Sequence, residues 1–156
     1  MTSYDQIRGN LVRQQKGMEL LLELLEEEFS LLQENKTEEV VALEFSIHEL
    51  LRQLAEERTA IKSAMQETRV VEYAELLEPE RCAEIKALLK GVDDAEQKSA
   101  RQASHNTRLS LALLDQSQGL LDFLHEQVAS KPQTSYGGKT AFRGRRTMPA
   151  LLSGRA

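Results

Sequence analysis

A seven-residue repeat of apolar side chains opens the chain and favours a helical fold. The repeat consists of Tyr4, Leu11, Met18, Leu25 and Leu32. Seven residues make almost two turns of an α-helix, so these side chains share one helical face, as in a coiled-coil seam. The pattern predicts one amphipathic helix of about 45 Å over residues 3–34.

A second helical pattern follows after a short break. It includes Val40, Ile47 and Leu54, and it predicts a helix over residues 37–77. Because the break between the two patterns is only three residues long, the two helices are expected to be antiparallel neighbours.

The remaining helical pattern is interrupted at Gly91. Pro79 suits the first turn of a helix and Gly91 its C-terminal end, which predicts a short helix over residues 79–90. A further helix is predicted over residues 94–129, with a first half that is rich in small and polar residues. We therefore predict an all-α fold for residues 1–130, an elongated antiparallel helical bundle of three long helices plus one short helix.

The charges of the chain fall into two blocks. Residues 1–130 hold all 25 acidic residues and 14 of the 20 Lys and Arg residues, which gives this part a net charge of −11. Residues 131–156 hold six cations and no acidic residue, a net charge of +6. This basic segment also contains glycines and two of the three prolines, and we predict that it is a flexible C-terminal tail. An acidic helical body repels phosphates, so the helices are not expected to bind nucleic acid.

The tail contains a triplet, Gly138-Lys139-Thr140, that resembles part of a phosphate-binding loop. Such a loop needs a glycine five positions before Gly138, where this chain has Gln133. It also needs a strand before it and a helix after it, whereas a helical pattern precedes the triplet here. Chain flexibility is therefore the favoured role of these glycines.

The residue spacing gives little support to enzyme or metal chemistry. The three histidines, His48, His105 and His125, are far apart from one another and from the single cysteine, Cys82. The acidic runs at 26–28 and 56–57 splay around a helix, which is typical of a solvated face rather than of a catalytic carboxylate pair. We expect no catalytic residues, no metal and no cofactor, and therefore no enzymatic activity.

The sequence also bears on cellular location. A single cysteine cannot form an internal disulfide, which fits a reducing compartment. No apolar run approaches the roughly 20 residues that span a bilayer. The N-terminal MTSYDQIRGN lacks the cationic start and apolar stretch of a signal peptide. We expect a cytoplasmic protein without direct membrane insertion.

Three stretches of the chain resemble the FlgN family, bacterial flagellar chaperones for the hook–filament junction proteins. The stretches are MELLLELLEEEFSLL, EFSIHELLRQLAEERTAI and HNTRLSLALLDQSQGLLDFL. In the last of them Asn106 and Leu109 match a family signature, although Thr107 stands where the family commonly has glycine. Tyr136-Gly137 resembles the family's tyrosine–glycine turn beyond the last helix.

The resemblance implies a cytosolic export chaperone without ATPase activity. It would bind the C-terminal helices of flagellar hook-associated proteins, prevent their premature assembly and deliver them to the membrane-bound gate of the flagellar type III export apparatus. In the family the C-terminal tyrosine takes part in docking at that gate, and by position this role falls on Tyr136. The third long helix is the candidate surface for a guest helix. Its candidate cargo-binding residues are Asn106, Leu109, Leu113, Leu120 and Leu124.

Two other interpretations stay open from the residues alone. A structural coiled-coil adaptor or a self-assembling bundle would need nothing beyond the heptads. A small nucleic-acid-binding protein would rely on the cations at 143–146 in the tail, with Tyr136 and Phe142 as the nearby aromatic residues. The leucines of the third long helix could equally be intramolecular core.

Overall fold

The computed structural model describes residues 3–66 and 68–130 of the chain. These residues form four α-helices and no strand: α1 (Tyr4–Gln33), α2 (Thr37–Met65), α3 (Val70–Glu75) and α4 (Pro79–Ser130). The prediction of an all-α fold with three long helices and one short helix is confirmed for this part of the chain. Tyr136, the Gly138-Lys139-Thr140 triplet and the rest of the predicted tail lie outside the described residues.

The chain divides into two compact units, Met1–Gly119 and Leu120–Ala156. The first unit contains α1, α2, α3 and most of α4, and the described part of the second is the last stretch of α4, residues 120–130. The predicted boundary between a bundle and a tail after residue 130 stays a prediction.

α1 begins at a capping box and buries the face that the seven-residue repeat indicated. The Ser3 hydroxyl accepts a hydrogen bond from the Gln6 amide at 3.3 Å, and the Gln6 side chain accepts one from the Ser3 amide at 3.1 Å. Together they satisfy two main-chain donors that a helix start otherwise leaves unpaired. The buried residues of α1 are Ile7, Asn10, Leu11, Gln14, Met18, Leu21 and Leu25.

α2 runs antiparallel to α1, because early residues of α1 meet late residues of α2. Arg13 forms a salt bridge with Glu57 at 2.6 Å, and the Asn10 side chain donates to the Glu57 carbonyl at 2.8 Å. Four residues further along α1, Gly17 lies against Leu54. Residue numbers therefore fall along α2 as they rise along α1.

In the first unit α4 runs parallel to α1 and antiparallel to α2. Glu84 pairs with Arg8, and the Ser99 hydroxyl donates to the Met18 carbonyl at 3.3 Å. Between α2 and α4, Arg58 and Glu96 form a salt bridge at 2.6 Å. The three long helices thus alternate in direction, and α3 belongs to the connection between α2 and α4.

Two apolar clusters form the core. One consists of Met18, Leu21, Leu25, Ile47, Leu54 and Ala95. The other consists of Ile7, Leu11, Met65, Ala74 and Ile85. Ile7, Ala74 and Ile85 are at most 1% exposed, so the short helix α3 completes the second cluster by inserting Ala74 between the ends of α1 and α4.

The predicted helix over residues 37–77 is wrong in its length, because α2 ends at Met65. Gln66 has φ 55° and ψ −117°, a left-handed conformation that a right-handed helix cannot continue. The chain then turns, and the short α3 packs Ala74 and Val70 against the second cluster. Neither glycine nor proline marks this break, so the sequence pattern did not reveal it.

The predicted helices over residues 79–90 and 94–129 are also wrong as separate elements, because α4 is continuous through Gly91. A Cβ atom added at Gly91 would lie 2.8 Å from the Gln15 side chain of α1. Gly91 therefore marks a close approach of α4 to α1 rather than a helix end. After it Val92 and Ala95 continue the buried face, which keeps the helix on the core.

Candidate functional site

The inward face of α4 becomes small and polar after its first turns. Ile85 is fully buried near the start of the helix, whereas the later buried positions are Val92, Ala95, Ser99 and Asn106. Small side chains allow close contact with α1 but fill little volume. Within the polar first half noted in the sequence of this helix, Ala95, Ser99 and Asn106 thus belong to the packed face, whereas the charged side chains between Ala95 and Ser99 are exposed.

Asn106 uses its whole side-chain amide within the fold. Its Nδ2 donates to the Leu25 carbonyl at 2.7 Å and to the Glu28 carboxylate, and its Oδ1 accepts from the Gln102 side chain at 3.0 Å. Only 4% of the residue is exposed. The sequence pattern placed Asn106 on the cargo surface, and the structure places it against α1, where it ties the two helices together.

α2 and α4 leave an open groove above α1, which we call the α2–α4 groove. One section has a volume of about 290 Å³ and a floor that includes Met18, Leu21 and Leu25 of α1. Its walls are Ile47, Leu51 and Arg58 of α2 and Glu96 of α4 together with the small residues Ser99, Ala100 and Ala103 of α4. The groove exists because these small residues cannot reach across to α2.

A second section of the α2–α4 groove, of about 390 Å³, lies closer to the end of α1. It shares Leu25, Ile47 and Leu51 with the first section and adds the carboxylates of Glu28 and Glu44. Leu51 is 42% exposed although it lies over an apolar floor. The groove therefore combines exposed apolar surface with negative charge.

The described part of the second unit, residues 120–130 of α4, carries exposed apolar side chains. All residues from Leu114 to Ser130 are exposed. Helical spacing places Leu120, Leu124 and Val128 on one face, which we call the α4 stripe. Leu120 is 58% exposed, Leu124 48% and Val128 75%, while Leu113 and the preceding Leu109 are half-buried. A row of exposed large apolar residues on one helical face is typical of an interaction surface.

The comparison with known families decides the identity of the chain. A family model described as FlgN protein matches residues 1–141, which covers all four helices and extends past Tyr136. The chain belongs to the FlgN family. None of the curated proteins and none of the solved structures in the comparison matches it. FlgN proteins are flagellar export chaperones, so the family resemblance seen in the sequence is confirmed.

The FlgN family is a family of chaperones rather than of enzymes. Among the described residues there is no group of three or more His, Cys, Asp or Glu side chains that could hold a metal ion. Cys82 is half-buried and packs beside the second apolar cluster. None of the described helices has both the length and the hydropathy that crossing a bilayer requires.

One acidic residue of this FlgN-family chain has a role that sequence reasoning missed. Glu57 belongs to an acidic run that was expected to be a solvated face, yet its carboxylate is half-buried. It accepts hydrogen bonds from Arg13 and from the buried Asn10, and Gln14 in turn donates to Asn10 at 2.6 Å. The partners lie more than 40 residues from Glu57, so only a predicted α1–α2 register could have revealed the contact.

Proposed function

We propose that this FlgN-family protein is a cytoplasmic export chaperone that binds the C-terminal helices of flagellar hook-associated proteins. It would keep these helices from assembling prematurely and deliver their proteins to the flagellar type III export gate. The observation that carries the proposal is the α4 stripe, where three large apolar side chains, Leu120, Leu124 and Val128, are about half exposed or more.

The spacing of the α4 stripe suits an amphipathic guest helix. Leu120, Leu124 and Val128 follow one another at intervals of four residues, as the anchors of paired helices do. Burying a leucine side chain contributes about 1.5–3 kcal/mol. Two or three such side chains therefore supply much of the roughly 8 kcal/mol of binding free energy that corresponds to a micromolar Kd. A guest helix with apolar residues at the same intervals would cover the stripe and leave its own polar face in solvent.

In this proposal the five cargo residues indicated by the sequence have two different roles. Leu120 and Leu124 contact the guest directly, and the half-buried Leu109 and Leu113 are further candidate cargo residues within the first unit. Asn106 acts indirectly, because its bonds to Leu25 and Glu28 hold α4 on α1. Tyr136 is the proposed docking residue for the export-gate membrane protein, through the family resemblance at Tyr136-Gly137.

A binding measurement with a matched control tests the cargo surface. Isothermal titration calorimetry would compare the wild-type protein with Leu120→Lys/Leu124→Lys, using peptides of the C-terminal helices of the hook-associated proteins. The control is Val41→Lys/Phe45→Lys, which changes two exposed apolar residues that are also four positions apart, on α2. We expect the α4 double variant to bind at least about 100-fold more weakly, since two buried leucines are replaced, and the α2 variant to bind like wild type.

Two results would contradict this proposal. One is a wild-type protein that binds none of these peptides, and the other is an equal loss of affinity in both double variants. Sedimentation at several protein concentrations distinguishes the proposed chaperone from the structural alternative, a self-assembling helical bundle. A homo-oligomer that dissociates in the α4 variant but not in the α2 variant would assign the stripe to self-assembly.

A further inference from the structure

The α2–α4 groove occupies the position of a missing fourth helix in a four-helix bundle, and all of its lining residues belong to the first unit. Its floor residues on α1, Met18, Leu21 and Leu25, recur at intervals of three and four residues. On α2, Ile47 and Leu51 lie four residues apart and line the same groove. These are the intervals at which the helices of a bundle pack against one another, so the groove matches a helix.

The α4 wall of the groove leaves room for such a helix. Its lining residues from Glu96 to Leu111 rise about 22 Å along the helix axis, which is about four helical turns. Ser99, Ala100 and Ala103 on this wall have small side chains. Because packed helices lie only about 8–10 Å apart, small side chains on the wall allow a further helix to approach closely. The groove therefore suits a helix of about 15 residues or more.

The charges of the groove favour a basic occupant. The residues that line its larger section include the carboxylates of Glu28 and Glu44 and the imidazole of His48, but neither Lys nor Arg. Within the part of the chain that the structure describes, neither carboxylate forms a salt bridge. In the smaller section, by contrast, Arg58 and Glu96 pair with each other. Two carboxylates without a cationic partner beside an apolar floor attract Lys or Arg side chains of an occupant.

We propose that the α2–α4 groove binds a basic amphipathic helix of a partner protein, which completes a four-helix bundle with α1, α2 and α4. Large apolar side chains of the partner, at intervals of three and four residues, cover Leu25, Ile47 and Leu51. Lys or Arg side chains beside them lie against Glu28 and Glu44. The partner is recognised by this combination of charge and spacing, so the proposal stands or falls separately from the binding of hook-associated proteins at the α4 stripe.

Two synthetic peptides test the proposal with the full-length protein. The basic peptide is an amphipathic helix of about 18 residues, roughly 27 Å long, with leucines at intervals of three and four residues and lysines beside them. The acidic peptide has glutamate in place of every lysine, and neither peptide contains flagellar sequence. Isothermal titration calorimetry should show that the basic peptide binds at least about 10-fold more tightly. Raising the ionic strength from about 0.01 M to about 0.15 M shortens the Debye length from about 30 Å to about 8 Å and should reduce this difference.

Matched charge changes inside and outside the groove show whether the basic peptide binds there. Leu51→Lys should weaken its binding by at least about 10-fold, whereas Val41→Lys, at a similarly exposed position of α2 outside the groove lining, should weaken it by less than about 3-fold. Glu44→Lys should weaken binding by about 5-fold or more, and Glu39→Lys, the same change at an exposed position outside the lining, should have a smaller effect. The amide spectrum of each variant shows directly whether it has folded.

A nitroxide on the basic peptide locates it on the protein through paramagnetic relaxation enhancement. We expect loss of the amide signals of Leu51, Ala103 and Thr107, which line the groove. The signals of Gln6 and Ile7, which line a different pocket, should be retained, because Ile7 lies about 27 Å along α1 from Leu25.

One further variant distinguishes the groove from the α4 stripe. Leu120→Lys/Leu124→Lys should bind the basic peptide as tightly as the α2 control Val41→Lys/Phe45→Lys, which adds the same charge. A selective loss of binding in the α4 double variant would assign the peptide to the stripe and overturn the proposal for the groove.

Three other outcomes would also overturn the proposal. The first is equal affinity for the basic and the acidic peptide, and the second is an equal loss of affinity in Leu51→Lys and Val41→Lys. The third comes from sedimentation of the protein without peptide. A homodimer that Leu51→Lys dissociates and Val41→Lys does not would assign the groove to a second copy of the chain.

Discussion

The side-chain amide of Asn106 donates a hydrogen bond to the main-chain carbonyl of Leu25 across 2.7 Å. The contact joins α4 to α1 in a buried position, and Gln102 and Glu28 complete the hydrogen bonding of the same amide. A buried polar contact of this kind is best known for setting the register of paired helices. Here it fixes the axial position of α4 along α1, just before the part of α4 in which every residue is exposed.

Replacing Asn106 should therefore weaken the fold measurably. We expect Asn106→Ala to lower the free energy of unfolding by about 1–3 kcal/mol, because Glu28 and Gln102 lose their buried partner and a small void forms. Urea denaturation followed by circular dichroism measures the change. Thr107→Ala, at the neighbouring exposed position, should stay within about 0.5 kcal/mol of wild type. Equal stability of both variants would show that the amide contributes nothing.

The two packed glycines should respond oppositely to alanine. Gly91→Ala should stabilise the protein by up to about 1 kcal/mol, since alanine favours the middle of a helix and the group it meets is the mobile end of Gln15. Gly17→Ala should destabilise it by about 1–3 kcal/mol, because the new Cβ would lie 2.7 Å from the buried Leu54 side chain. Thermal unfolding measures both. Destabilisation by Gly91→Ala would instead support a helix end at that position.

Glu84 should make the stability of the protein depend on pH. Hydrogen bonds from Tyr4, and then from Arg8, hold the pKa of the Glu84 carboxyl below its usual range. A lowered folded-state pKa contributes stability above the unfolded value, about 4.3, and this contribution is lost as the pH falls through the folded value. Glu84→Gln should thus be less stable than wild type at pH 7, and the gap should close as the pH falls through the folded pKa of Glu84.

A second carboxylate serves as the control for this pH dependence. Glu27→Gln removes an exposed negative charge from α1 and gives the background effect of losing one charge. Urea midpoints across the pH range compare the three proteins. A gap between wild type and Glu84→Gln that stays constant as the pH falls from 7 to well below the unfolded value of about 4.3 would contradict the assigned role of Glu84.

A substitution at the proposed gate-docking residue, Tyr136, should affect export without affecting cargo binding. Tyr136→Ala should lower the export of hook-associated proteins in a motility or secretion assay and leave their binding to the purified chaperone unchanged, because Tyr136 is not one of the residues proposed to bind cargo. Phe142→Ala removes another aromatic ring of the basic segment and is the matched control. A parallel loss of binding and export in Tyr136→Ala would place the residue in the cargo site or in the fold.

The sequence by itself determined the helical class of this protein and the inward face of α1. Leu11, Met18 and Leu25, members of the seven-residue repeat, are all buried, since an amphipathic helix has one way to remove such a face from water. The residues of the family resemblance were equally visible, because Leu-rich helices and the Asn106 and Leu109 signature are local features of the chain.

Only the tertiary structure decided where helices end and what their polar residues do. α2 ends at Met65 without glycine or proline, and the turn that follows lets α3 bring Ala74 into the core. α4 passes through Gly91 because Val92 and Ala95 continue its buried face, and the glycine accommodates the close approach of Gln15 of α1. The role of Asn106 depends on Leu25, which is 81 residues away in the chain. The periodicity of apolar residues predicts which face a helix buries. Which residues that face contacts is decided by packing between segments that are distant in the sequence.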